Sequence, residues 1–134
     1  MITLLLIRHG IAEDGKGPDA ERALSAEGWV QSRAAMKGLV RRGYVPTRGV
    51  SSPYRRAAET MVCLQEAAAG GFPVASWDGL TPGGRPGKAE DWLRGELAEL
   101  EAADSLALVS HEPFLSSLVH RLTGRSIVVR RASC

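Results

Sequence analysis

The chain has 134 residues and a net charge of +2, from 17 Lys and Arg against 15 Asp and Glu; that is room for one ordinary core and not for two, and too balanced a charge for a nucleic-acid or anionic-membrane partner. Its 44% hydrophobic and 24% charged composition, with 15 Gly and 7 Pro, describes a folded chain with many tight connections rather than a disordered one. The two cysteines, Cys63 and Cys134, supply neither a disulfide framework nor metal-ligand spacing, which points to a reducing cytoplasm.

The chain opens on MITLLLIRHG, an apolar run that ends in Arg8, His9 and Gly10. It is too short for a membrane span or a secretory leader and reads as a buried strand with polar groups at its C-terminal end, the edge where open α/β sheets bind ligands. Gly10 allows a sharp turn or a close approach to a ligand. A polar, Gly-rich loop over 11–22 follows, in which Gly15, Gly17 and Pro18 argue against regular structure. Ser25 is placed to cap a helix running to about Arg42, with Trp29, Val30, Ala34, Leu39 and Val40 as its apolar face and Gly43 as its stop. A short strand at Gly49–Ser51 leads into Ser52-Pro53, the pattern of a cap and first helical residue, so a second helix is expected to run to about Ala69 with Arg55 and Arg56 in its first turn. Pro73–Trp77 reads as a third strand, and DGLTPGGRPG as a loop. Lys88 to Ala102 has helical spacing of Trp92, Leu93, Leu97 and Leu100. Ser105–Val109 is a fourth strand, ending in Ser110-His111. Pro113 then starts a fourth helix that Gly124 closes, and Ile127–Val129 begins a fifth strand close to the last residue, either a short edge strand or the mark of an abbreviated chain.

This alternation predicts a single α/β domain over 1–134, a three-layer α/β/α sandwich around a mostly parallel sheet of about five strands. In such a sheet the strand ends cluster, which brings together Arg8-His9-Gly10, Ser51-Ser52-Pro53 with Arg55-Arg56, and Ser110-His111-Glu112-Pro113. Two histidines and several arginines at one edge, beside helix N-termini, form a cationic pocket suited to a phosphoryl group, whose oxygens Arg binds bidentately.

Taken in order, LLIRHGIAE, RALSAEGWVQSRAAMKGL, VSSPYRRAAET, the LTPGG loop and LVSHEPFLSSLVHRLTG resemble the histidine phosphatase superfamily, the phosphoglycerate-mutase-like group, and within it the small SixA-like phosphohistidine phosphatase branch. The resemblance covers nearly the whole chain. It implies that His9 is the nucleophile that becomes phosphorylated, that Arg8 and Arg56 bind the phosphoryl oxygens, and that His111 contacts and stabilises the transferring group. Arg56 rather than Arg55 precedes Ala as the motif requires, leaving Arg55 solvated or behind the site. No metal or other cofactor is implied, and no carboxylate cluster resembles a magnesium site. A neutral attacking imidazole needs its other nitrogen hydrogen-bonded to fix the tautomer, and transfer needs donors preorganised on the phosphoryl oxygens.

The departure from the wider family lies in the loop after the third strand. Many relatives place an acid there to protonate an alkoxide leaving group, whereas this loop reads Leu80-Thr81-Pro82-Gly83-Gly84, with Asp78 and Glu13 as the only substitutes. The SixA-like branch shares the lack, which suits an imidazole leaving group. The expected activity is therefore hydrolysis of a phosphohistidine protein, of the histidine-phosphotransfer type, or of a small phosphorylated metabolite. The alternative is a phosphate-binding or phosphoprotein-binding module with little turnover; a nucleotide-binding doubly wound domain is disfavoured by the absence of a Gly-rich fingerprint after the first strand. Arg22 is read as either a rim residue or a structural ion pair, His120 as a surface residue, and the three tryptophans as core or core edge. Nothing in the sequence sets the oligomeric state.

Overall fold

A computed structural model describes residues 2–125 and 132 of the chain. Among these residues four parallel strands form one sheet: β1 (Thr3–Arg8), β2 (Arg48–Ser51), β3 (Val74–Ser76) and β4 (Ser105–Ser110), in the order β1-β4-β2-β3. Helices α1 (Ala26–Arg41), α2 (Arg55–Ala67) and α3 (Pro86–Ala98) connect them, and α4 (Phe114–Thr123) follows β4. The α/β architecture is as expected; the strand read at Ile127–Val129 lies outside the described residues.

The two-residue period of the strands divides the core. Leu5, Ile7, Ala107 and Val109 face Met36 of α1 and Ala57, Met61 and Leu64 of α2. Val50, Leu106 and Leu108 face the other way, against Leu80, Leu93 of α3, and Phe114 and Leu118 of α4. These are the three layers of the sandwich. All six residues of β4 are buried because it has a strand on either side and helices over both faces, which is why its sequence is apolar without alternation. Each fully buried Leu or Ile here contributes about 1.5–3 kcal/mol relative to exposure.

Local chemistry sets the element ends. The Ser25 hydroxyl accepts the Gly28 N–H at 2.9 Å and caps α1 as expected. Gly124, at φ +75°, ends α4 by donating its N–H to the His120 carbonyl.

Several expectations are corrected. Of the expected apolar face of α1, Trp29, Leu39 and Val40 pack on the core, whereas Val30 is 70% exposed and Ala34 is exposed; the fully buried residues of α1 are Gly28, Ser32 and Met36. Small residues were needed because α1 packs directly on the segment that follows β1. A Cβ on Gly28 would stand 2.0 Å from the Ile11 carbonyl oxygen, and one on Gly10 would stand 2.3 Å from Ser32 Oγ. Gly10 thus makes room for a helix. The 11–22 loop holds a short 3-10 turn at Asp19–Glu21 and an antiparallel bridge between Ala12 and Leu24. Helix α2 starts at Arg55 rather than at Pro53, with no side-chain cap. Helix α3 begins earlier than Lys88, with Pro86 in its first turn, and ends at Ala98. Within α3, Glu96 pairs with Arg48 at 2.6 Å. Trp77 and Trp92 stack at 4.3 Å at the core edge. Because the obstacle at Gly28 is backbone, Gly28→Ala is expected to lower stability by about 1–3 kcal/mol, read as a reduced urea midpoint with unchanged slope.

Candidate active site

His9 follows β1 directly and its backbone is held from three sides. Its N–H donates to the Ser110 carbonyl at 3.1 Å, while the carbonyl of Arg8 before it accepts from Ala132 at 2.9 Å. The next N–H, on Gly10, donates to Thr60 Oγ1 at 3.1 Å, and that hydroxyl in turn donates to the Arg56 carbonyl at 2.8 Å. Thr60 therefore links the first turns of α2 to the strand end that carries His9. Glu59 beside it accepts from the Leu24 N–H at 2.8 Å and ties α2 to the start of α1.

The His9 ring lies with Nδ1 2.6 Å from the Gly10 carbonyl oxygen. A carbonyl only accepts, so Nδ1 carries the proton and Nε2 presents its lone pair. Arg56 donates from Nε towards that lone pair at 3.4 Å. The rest of the buried Arg56 guanidinium is held by the Asp19 carbonyl at 2.9 Å and the Asp19 carboxylate at 3.2 Å, and it lies over the Tyr54 ring at 5.1 Å. Hydrogen bonds from Arg22 and then Arg56 hold the Asp19 carboxyl below the usual carboxylate range.

His111 stands one residue beyond β4, 1% exposed, with its ring centroid 5.0 Å from that of His9 and 5.1 Å from that of Tyr54. Its Nε2 is 2.8 Å from Ser52 Oγ. Burial first, and then its neighbours His9 and the Arg56 guanidinium, push the His111 imidazole down to about 3. It is neutral at physiological pH. Unfolding restores an ordinary imidazole, so the unfolded chain binds more protons between pH 6.5 and about 3, and stability falls as pH drops through that window. The expected slope is up to about 1.4 kcal/mol per pH unit. Urea unfolding at neutral and mildly acidic pH checks this: His111→Gln should lose stability less steeply than the wild type.

Arg8, His9, Arg56 and Arg22 line a common cavity of about 500 Å³ with Ile11, Ala12, Asp14 and Glu112. The structure therefore brings Arg8, His9 and Arg56 together around one space, with the His111 ring packed beside His9. Arg55 points away, half paired with Glu59 at 3.4 Å. Arg22 fulfils both of its readings, since it lines the cavity and pairs with Asp19 at 3.0 Å. His120 is exposed. The two substitute acids are not in this lining: Asp78 is exposed in a short turn at Asp78–Leu80, and Glu13 is exposed on the outer side of its loop. The Glu112 carboxylate is engaged by the backbone N–H and hydroxyl of Ser116 at the start of α4. The LTPGG loop is anchored from beneath, where Ser110 Oγ donates to the Leu80 carbonyl at 2.6 Å.

Two side chains at the site, Asp19 and Thr60, were not singled out by sequence, and Ser52 was placed at the strand-end cluster only as a helix cap. Thr60 belongs to the SSPxxRAxET block and Ser52 to its first residues, so the block itself was the available signal. Asp19 sits in a loop with no distinguishing pattern. Among the described residues no group of three or more His, Cys, Asp or Glu side chains is placed to hold a metal ion, and no helix is long and apolar enough to cross a membrane.

Comparison with known proteins gives this arrangement a lineage. The family model of the histidine phosphatase superfamily (branch 1) matches residues 4–81, more than half of the chain. The chain belongs to this superfamily. Within the histidine phosphatase superfamily it is similar to a phosphohistidine phosphatase SixA homolog of Haemophilus influenzae, 29% identical over 135 residues that cover 92% of this chain and 79% of the relative. Its fold matches that of the protein histidine phosphatase SixA complexed with tungstate, with a TM-score of 0.87 and 25% identity over 96% of this chain and 82% of that one. A putative phosphohistidine phosphatase SixA from Agrobacterium tumefaciens shares the fold with a TM-score of 0.77 and 19% identity, over 91% of this chain and 77% of that one.

Proposed function

We propose that this histidine phosphatase superfamily member is a phosphatase that works through a phosphohistidine on His9. The observation that carries the proposal is the state of the His9 imidazole: Nδ1 bonded to the Gly10 carbonyl, and Nε2 left as an acceptor beside the Arg56 guanidinium. In this reading Nε2 attacks phosphorus while the bond to the leaving group breaks, and Arg8, Arg56 and His111 hold the charge on the phosphoryl oxygens. Water then attacks the same phosphorus, the P–N bond breaks, its electrons return to Nε2, and inorganic phosphate leaves. The similar SixA structure is a complex with tungstate, an oxyanion like phosphate, which supports anion binding by this fold.

The substrate we infer carries a good leaving group, above all a phosphohistidine on a protein. Support comes from the cavity lining, where the Asp14 carboxylate is fully exposed to solvent and that of Glu112 is taken up by the Ser116 N–H and hydroxyl. The likeness to SixA-named proteins points the same way. A screen that sets a phosphorylated histidine-phosphotransfer protein beside sugar and nucleotide phosphates tests it. The phosphoprotein is expected to be dephosphorylated at least about a hundredfold more efficiently than alkyl phosphates, the scale of a missing general acid; equal efficiencies would overturn the substrate assignment.

One observation favours a second reading, a binding module with little turnover. Asp19 occupies the Arg56 fork that a phosphoryl group would use. Tight binding of the phosphoprotein without release of inorganic phosphate would decide for it.

A further inference from the structure

Ser52 lies completely buried between β2 and α2. Its hydroxyl meets two partners among the described residues, the Tyr54 backbone N–H at 3.2 Å and His111 Nε2 at 2.8 Å. A backbone N–H only donates, so the Ser52 oxygen accepts from Tyr54, and the open choice is which side donates to the other in the bond with His111. Were Nε2 protonated, the hydroxyl hydrogen would be buried without an acceptor and the unprotonated Nδ1 would also lack a partner, since Nδ1 is buried with none among the described residues. With the hydroxyl donating to Nε2, Ser52 is fully satisfied and one group is left over, an Nδ1–H. Leaving one buried polar group in place of two is the cheaper arrangement. The group left over is also the right kind, because a donor attracts a phosphoryl oxygen and a lone pair repels it.

We propose that Ser52 is a positioning residue: by donating its O–H to His111 Nε2 it holds that imidazole as the Nδ1–H form, a donor ready for the phosphoryl oxygens. The catalytic part of this inference rests on the proposed phosphatase reading, whereas the position of the proton does not. The ring is well placed to be held in one form. The edge of Tyr54 meets it at 5.1 Å, and the His111 carbonyl is fixed by the Leu115 N–H at 2.9 Å. Because burial keeps His111 neutral, a single tautomer is defined at neutral pH.

The test is a long-range proton–nitrogen NMR correlation on protein carrying isotope-labelled histidine. The chain has only 3 histidines, and His120→Gln together with His9→Gln assigns the remaining signals. The wild type is expected to show His111 protonated on Nδ1, while Ser52→Ala shifts it towards Nε2–H and lowers kcat by about tenfold with a smaller change in KM. Ser52→Thr, which keeps the hydroxyl, should restore the wild-type signal. Protonation of Nε2 in the wild type overturns the proposal whatever the activity, and it does so even if Ser52→Ala fails to fold. An unchanged tautomer in a folded Ser52→Ala overturns it equally. Nδ1–H in a wild type that hydrolyses no phosphorylated substrate would uphold the positioning and overturn the phosphatase reading instead.

Discussion

Treated with a reactive phosphate ester and quenched, the wild-type protein is expected to carry phosphate that survives alkali and is lost in acid, and His9→Ala to carry none. That stability pattern is the signature of a P–N bond, and His9 Nε2 is the imidazole nitrogen that the structure leaves with a lone pair facing an arginine. Turnover should fall with the label, by about 10⁴-fold or more, because removing a covalent nucleophile leaves only binding and charge stabilisation. His111→Ala is the informative companion. It should slow labelling and dephosphorylation while leaving His9 as the labelled residue. Turnover retained by His9→Ala, or a label that moves with His111, would sink the mechanism.

The second large effect belongs to Arg56. It is buried, 6% exposed, and its Nε reaches within 3.4 Å of the nitrogen expected to attack. Arg56→Ala should lower kcat/KM by about 10³-fold, the scale of removing preorganised donors from developing charge. Arg56→Lys should recover little, since an ammonium keeps the charge but not the planar fork. Folding is the control for this variant, because Arg56 also ties Asp19 to α2. Thermal unfolding close to wild type is expected, as the Asp19 partner is half exposed and can turn to water. A loss below about tenfold in a folded Arg56→Ala would remove Arg56 from the site.

How much of this was legible follows from what kinds of signal a sequence carries. His9 and His111 stand out because each ends an apolar run, and a parallel sheet necessarily gathers such ends. Arg56 was separable from Arg55 only through the SSPxxRAxET block, since both lie in one helical turn; packing then buries one and leaves the other beside Glu59. Ser52 was misread because a serine before proline is the pattern of a helix cap. Capping is a local rule, and the partner that claims this hydroxyl is His111, 59 residues away. The face of α1 was read in part: Trp29, Leu39 and Val40 do pack on the core, but Val30 and Ala34 do not, for a related reason. Hydrophobic periodicity weights Val30 and Ala34, whereas the contact with the segment after β1 is so close that only Gly28 and Ser32 fit.

The register of the central strands has one more consequence. Arg8 pairs with Ser110 across β1 and β4, so His9 and His111 each stand one step past the last rung of the same ladder. Neighbouring strands in a sheet are spaced about 4.8 Å apart by their hydrogen bonds, and the two imidazole centres are 5.0 Å apart. The spacing of the two imidazoles is therefore set by backbone geometry, with no loop needed to fix it. Loops around the cavity are free to diverge in sequence while the two histidines keep a fixed separation.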